Sequence, residues 1–339
     1  MSTDDARARA ARAAHRDAWL ALVDEPVFAP EQEIVDPHHH LWRRGGTLYE
    51  IDALRADAQG HKVTKSVFIE CRSFYREDGP EPLRPVGETE YVVDLIEKSG
   101  PGTPEVAGIV AHADLRLPLA QLDEVLDAHE AAGKGRFRGI RHSASYDPEA
   151  AELFLIPGRA PEGLLRDPDF HRGVRRLGER GLVFDCWLYH TQMAEFGALC
   201  DAAPATTVVL DHVAHPLGVG RFAGQGEAVF AAWRDDIARL AERRNLHAKL
   251  GGLAMPDNGF SWHLNEMPPS SEQFAEQQRP WIERTLEVFG PDRCLFESNF
   301  PVDRYSVGYR VLWNAYKKLA QGPHADALLR GNAERLYRL

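Results

Sequence analysis

Cysteine is scarce in this chain. Cys71, Cys186, Cys200 and Cys294 lie far apart with no Cys-x-x-Cys spacing, so they read as reduced, buried thiols of an intracellular protein, not as a disulfide framework. Long apolar runs are missing too: no stretch approaches the roughly 20 residues that cross a bilayer. Basic residues are outnumbered, 40 Lys and Arg against 51 Asp and Glu, and the net charge of −11 argues against a nucleic-acid surface. A nucleophile elbow of the Gly-x-Ser-x-Gly type and a phosphate-binding Gly-x4-Gly-Lys loop are both absent. Gly218-Val-Gly220 lacks the third glycine of a dinucleotide fingerprint and reads as a loop. The Ala/Arg-rich start, Asp4 to His15, carries Asp4 and Asp5, has no signal-type apolar core and runs into Trp19–Val23. Residues 1–32 are therefore expected to form a helical extension packed on the main domain, and the cytoplasm is the expected compartment.

What is present is an α/β alternation. Hydrophobic content of 44% and charged content of 27% are those of a globular protein. Short β-branched runs at Ile34–His38, Ser66–Cys71, Ala107–Ala111, Phe137–His142, Leu182–Trp187, Thr207–His212, Leu246–Leu250 and Arg293–Glu297 are nearly continuous apolar segments, as in parallel strands buried on both faces. Helical patterns separate them, at 88–98, 120–132, 170–179, 226–243 and 280–289. An open doubly wound sheet would carry a Gly-rich first turn, and here that turn is histidine-rich. The spacing predicts a (β/α)8 TIM barrel over 33–339 as a single domain, with an added N-terminal helix. The irregular segments 72–86, 145–168 and 254–272 are expected as loops over its mouth.

The first strand ends in Asp36-Pro-His-His-His-Leu-Trp42. Side chains alternate along an extended chain, so His38 and His40 point one way and His39 the other. Two convergent imidazoles suit a divalent metal, and a histidine-rich turn or packed core histidines would also explain them. The other strand ends carry Glu70, Cys71 and Arg72; His112 and Asp114; Arg141 and His142; Asp185 and His190; Asp211, His212 and His215; Lys249; and Glu297, Asn299 and Asp303. Unpaired buried charges are costly, so these groups should converge on one polar pocket. Arg141 and Lys249 serve equally well as internal partners for Glu70 and Asp185. Trp262 and other loop aromatics could stack on a flat or sugar-like ring.

These residues carry a resemblance. Asp36–Trp42, Phe137-Arg-Gly-Ile-Arg-His142, Leu210-Asp-His-Val-Ala-His-Pro216, Lys249-Leu-Gly-Gly252 and Phe296-Glu-Ser-Asn-Phe-Pro-Val-Asp303 resemble the amidohydrolase superfamily, in its amidohydrolase-2 branch of metal-dependent TIM-barrel hydrolases that includes sugar and pyrone-dicarboxylate lactonases. The resemblance implies one divalent ion, zinc first, on His38, His40 and His212, with His190 a further candidate histidine. It places Asn299 where the branch has a metal-binding, proton-handling Asp, and an amide cannot take up a proton as a carboxylate does. Metal-independent activity is therefore a second version, with a histidine, Asp303 or Glu297 as base. Asp303 could instead cap the following helix or pair with Arg304. In either version Glu70, Arg72, Arg141, His142, Lys249 and Trp262 are expected around the substrate. The expected reaction is opening of a carboxylated or sugar-like lactone by activated water. A decarboxylase or hydratase acting on an unsaturated or aromatic acid is the alternative, and Asn299 also admits a barrel that only binds its ligand. The expected partner is a small molecule, without nucleic acid or membrane, in a possible homodimer.

Overall fold

The computed structural model describes residues 15–44, 47–149 and 160–339. Eight parallel strands follow one another around a single sheet: β1 (Glu33–His39), β2 (Lys62–Ile69), β3 (Glu105–Ala111), β4 (Phe137–Ser143), β5 (Val183–Trp187), β6 (Val208–Leu210), β7 (Leu246–Leu250) and β8 (Cys294–Phe296). A helix follows each: α1 (Ile51–Asp57), α2 (Val86–Ser99), α3 (Leu119–Gly133), α4 (Pro168–Glu179), α5 (Met193–Ala202), α6 (Gly226–Ala241), α7 (Ser271–Phe289) and α8 (Tyr309–Leu319). A last helix, α9 (Asn332–Tyr337), ends the chain. The architecture is a (β/α)8 barrel.

Residue parity sorts the two apolar layers. Val35, Val67, Ile69, Val110, Val183, Val209 and Leu295 pack together inside the barrel, joined by Ala333, Leu336 and Tyr337 of α9. Their neighbours Ile34, Phe68, Ile109, Phe184, Val208 and Phe296 face the helices in the outer core. Each fully buried branched side chain contributes about 1.5–3 kcal/mol, so a one-residue slip of any strand would forfeit several such terms. The same parity turns Arg141, Asp185, Lys249 and Glu297 inward.

The seam between β8 and β1 is closed at its upper end. His39 and Phe300 form a parallel bridge, and the His40 N–H donates to the Phe300 carbonyl at 2.7 Å. The Asn299 N–H donates to the His38 carbonyl at 2.9 Å, while Asp36 Oδ1 accepts from the Ser298 N–H at 3.0 Å and Asp36 Oδ2 from the Tyr309 hydroxyl at 3.0 Å.

Several boundaries differ from the sequence reading. β6 stops at Leu210, because Asp211 begins a tight turn. α7 starts at Ser271, ahead of Pro280, because a Ser270/Gln273 capping box satisfies its first N–H groups. Residues 15–20 are helical, and Trp19 Nε1 donates to the Asn265 carbonyl at 2.9 Å, tying this segment to the 254–272 loop. Residues 21–32 of the expected helical extension are turn and coil, while 1–14 of it, and 150–159 of the expected 145–168 loop, lie outside the described residues. No helix among the described residues is long and apolar enough to cross a membrane.

Candidate active site

The upper half of the barrel interior holds a chain of buried charges. Lys249, fully buried on β7, donates to Asp185 Oδ2 at 2.6 Å and lies 3.1 Å from Asp211 Oδ1. Burial alone would strip its charge, but Asp185, Asp211 and Glu297 outweigh that and raise its pKa. Beside it, Glu297 Oε1 contacts His212 Nδ1 at 2.6 Å and Oε2 lies 2.8 Å from His38 Nδ1. Lys249 Nζ also reaches His38 Nδ1, at 3.0 Å. One ring nitrogen cannot both donate to the carboxylate and accept from the ammonium. The carboxylate is the closer, charged acceptor, so we place the proton on Nδ1, on the side of Glu297, although Oε2 is near in distance and not aligned as a hydrogen bond. His38 Nε2 is then a lone pair, buried and without a hydrogen-bond partner.

The electrostatics follow from this packing. Burial works against the Glu297 carboxylate, yet His212 and His38 pull its pKa down to about 2. Burial likewise opposes charge on His212, and Glu297 outweighs it, raising that pKa. In His38 burial and the Lys249 charge keep the ring neutral. Asp303 is pushed up to about 7 by burial, against the pull of His212 and of its hydrogen bond with Asn299. Asn299 Nδ2 donates to Asp303 Oδ1 at 2.8 Å, and the Ala254 N–H donates to Oδ2 at 3.3 Å. Asn299 thus holds a carboxylate four residues away instead of supplying one.

His212 owes its position to an unusual turn. His212, Val213, Ala214 and His215 all have left-handed backbones, with φ of 56°, 47°, 64° and 37°. Each such non-glycine residue costs roughly 1–2 kcal/mol, and side chains from elsewhere hold the turn in place. Trp233 Nε1 donates to the Val213 carbonyl at 2.8 Å and Trp187 Nε1 to His215 Nδ1 at 3.1 Å. Opposite, Gly252 has φ of 66°, and a Cβ there would stand 2.2 Å from His212 Nδ1. The glycine is required by both its conformation and this close approach.

Above these groups opens a cleft of about 120 Å³, lined in part by His40, Trp42, Arg44, Glu70, Arg72, Arg141, Trp187, His212 and Asn299. Arg141 Nε donates to Glu70 Oε1 at 2.7 Å, so Arg141 and Lys249 do have the internal partners, Glu70 and Asp185, that were open as their alternative role. His40 Nδ1 contacts the Ile69 carbonyl at 2.8 Å, and its ring meets that of His38 edge-on at 4.9 Å between centroids.

Six residues expected at the site are absent from the cleft lining: His38, Lys249 and Asp303 are fully buried in the charged cluster, and His142, His190 and Trp262 are engaged elsewhere. His142 follows the inward Arg141 and so points to the outer layer, against Phe170 and His112. His190 sits on a turn where Nδ1 accepts the Leu217 N–H at 3.2 Å and the ring packs on Phe222. Trp262 lies on a 3-10 turn of the 254–272 loop. Conversely, the sequence reading did not single out Arg44, and named Asp211 only as a strand-end acid.

The residues fit a divalent ion. His38, Asp211 and His212 each offer a ligand atom within 4.8 Å of the others. Glu297 on both Nδ1 atoms is the outer carboxylate that fixes ligand tautomers. In this closest set Asp211 takes the place expected for His40, whose ring stands edge-on to that of His38.

Comparison with known proteins agrees with this geometry. The Amidohydrolase family matches residues 35–339. The chain belongs to this amidohydrolase family. It is 31% identical over 331 residues to an uncharacterized protein of Sinorhizobium fredii, covering 90% of this chain and 98% of that one. It is 25% identical to L-fucono-1,5-lactonase of Burkholderia multivorans, covering 90% and 96%. A B. multivorans amidohydrolase crystallised with bound zinc superposes with a TM-score of 0.70 at 24% identity, covering 90% of this chain and 99% of that one. The amidohydrolase described here is an enzyme with lactonase relatives.

Proposed function

We propose that this enzyme hydrolyses a lactone with the help of a divalent ion. The observation that carries the proposal is the Glu297 bridge, which meets both histidines at Nδ1 and leaves His38 Nε2 buried and unpartnered in a cluster with Asp211 and His212. The lactonase relative supports the substrate class. An ion held by His38, Asp211 and His212, zinc first, would supply a Lewis acid that acidifies water and polarises a carbonyl.

The chain's own groups do the rest. Glu297 orients the two imidazoles, and Lys249 offsets the charge of Asp185 and Asp211. Arg141, clamped by Glu70 and facing the cleft, is positioned to stabilise negative charge developing on the lactone carbonyl oxygen. Asp303 is assigned as the base: its pKa of about 7 suits proton transfer near neutrality, and Asn299 ties it to the cleft wall. Water adds to the acyl carbon, the bond from that carbon to the ring oxygen breaks, and the ring oxygen leaves as a hydroxyl. The product acid releases one proton, so turnover lowers the pH of a weakly buffered solution, whereas decarboxylation would raise it.

A metal-independent version draws on one observation, the Lys249 ammonium, which already neutralises part of the acidic cluster. Metal analysis of protein purified without a histidine tag, coupled to a lactone panel with and without chelator, separates the two. Loss of activity with chelator and recovery with zinc is expected. Full activity of metal-free protein would sink the metal-assisted version, and no turnover of any lactone would sink the reaction itself.

A further inference from the structure

The cleft is basic in an acidic protein. Its lining carries three arginines, Arg44, Arg72 and Arg141, against one carboxylate, Glu70. Glu70 is engaged by Arg141 at 2.7 Å. Among the described residues neither Arg44 nor Arg72 has a carboxylate within salt-bridge distance, although acids outnumber bases by 51 to 40 in the chain.

Both arginines are held in place. Arg44 ends the first strand of the short hairpin that follows β1, Trp42–Arg44 paired with Thr47–Tyr49. Its Nε donates to Ser73 Oγ at 3.0 Å, and its guanidinium carbon lies 5.7 Å from the Trp42 ring centre. Arg72 sits in the turn after β2. Glu88 fixes that turn, its Oε1 accepting from the N–H groups of Cys71 at 3.0 Å and Ser73 at 2.7 Å. Burial, followed by the nearby Glu70 charge, raises the Glu88 pKa, which lessens negative charge beside the arginines. Two guanidinium groups, one at a strand end and one on a braced turn, face a cleft whose single carboxylate, Glu70, is hydrogen-bonded to Arg141 and lies near Arg72 without a salt bridge to it, so the lining keeps an excess of positive charge suited to an anion. Trp42 and Trp187 give the same cleft flat walls suited to a ring.

We infer that the substrate is a lactone bearing a carboxylate, held by Arg44 and Arg72 while its ring carbonyl faces the Arg141 and His212 side of the cleft. The inference rests on the lactone reading for the reaction but stands on separate residues. It sets this enzyme apart from a relative named for the neutral L-fucono-1,5-lactone.

A matched pair of probes tests it: D-glucaro-1,4-lactone, which carries a carboxylate, and D-glucono-1,4-lactone, which carries a hydroxymethyl group in its place. The ratio of their kcat/KM values is measured for the wild type and for Arg44→Met, Arg72→Met and Arg72→Lys, with thermal melts confirming that each variant folds. The wild type should favour the carboxylated lactone more than tenfold. That ratio should fall roughly tenfold or more in either Met variant, the scale of one lost charge-assisted bond, and recover in part in Arg72→Lys. A wild type that favours the neutral lactone, or a ratio unchanged in the variants, overturns the inference while leaving the lactone reading intact. If neither lactone is turned over, calorimetry with D-glucarate decides. Binding that weakens tenfold in the Met variants keeps the anion subsite and discards the reaction, and binding absent or indifferent to both arginines discards the two together.

Discussion

Asp303 and His39 show how burial assigns different tasks to neighbouring polar residues. Asp303 titrates near 7 because burial disfavours its charge. If it is the base, it must be ionised, so kcat/KM should rise with pH through about 7 and level off above it. Asp303→Asn should lose this inflection together with roughly 100-fold or more of the rate. A pH-rate profile of the variant that keeps the wild-type inflection would remove Asp303 from the role. His39 points away from the site, its ring 6.2 Å from that of Phe68, with neither nitrogen in a well-formed hydrogen bond. Burial depresses its pKa to about 3, the His40 backbone opposing. The unfolded chain binds a proton at this residue below about 6.5. The stability contributed by neutral His39 is therefore full above that pH and is lost as pH falls toward 3. His39→Leu should raise stability by about 1–3 kcal/mol at neutral pH, with the gain widening toward pH 5 in denaturant titrations. A variant less stable than wild type at pH 5 would refute this. The alternation that separates His39 from His38 and His40 was legible in the sequence. The same alternation applied to β4 would have set His142 apart from Arg141.

At the scale of elements, the turn after β6 was the least legible part of the site. Val213 is β-branched, and nothing local favours a left-handed run through it. Only tertiary partners, Trp187, Trp233 and Glu297, make it affordable, and those lie far along the chain. Arg44 was hidden for a similar reason: a three-residue strand has no periodicity to read. Gly252 tests the turn from across the barrel. Gly252→Ala should fold but displace His212, because its Cβ would stand 2.2 Å from Nδ1. Displacements near 1 Å can cost roughly 100-fold, and kcat/KM on a lactone should fall by at least that much. Gly322→Ala is the control, since its φ of 105° is as strained but no atom lies within 4 Å of the added carbon. Equal kinetics in the two variants would show that the close approach does not matter.

For the whole molecule, the barrel was legible because its parallel strands are buried on both faces and read as continuous apolar runs. Its lower end was not. α9 inserts Tyr337 beneath the charged layer, and the hydroxyl donates to Asp185 Oδ2 at 2.7 Å, next to Lys249. A tyrosine near the end of a short helix gives no sign in sequence that it fills a barrel. Tyr337→Phe removes a hydrogen bond to a buried carboxylate and should lower the unfolding free energy by about 1–3 kcal/mol, measured in urea. A change below about 0.5 kcal/mol would mean that Asp185 draws its support from Lys249 alone.

The seam between the first and last strands carries a consequence for the time course of folding. Contacts such as Ser298 with the His38 carbonyl join residues 260 positions apart, and loop closure of that length is among the slowest events available to a chain. His38 and Glu297 stand on the two lips of this seam, so the proposed centre has no partial form in an open sheet. On refolding, helix signal should recover first and lactone turnover last, with the interval between them timing the closure of the ring.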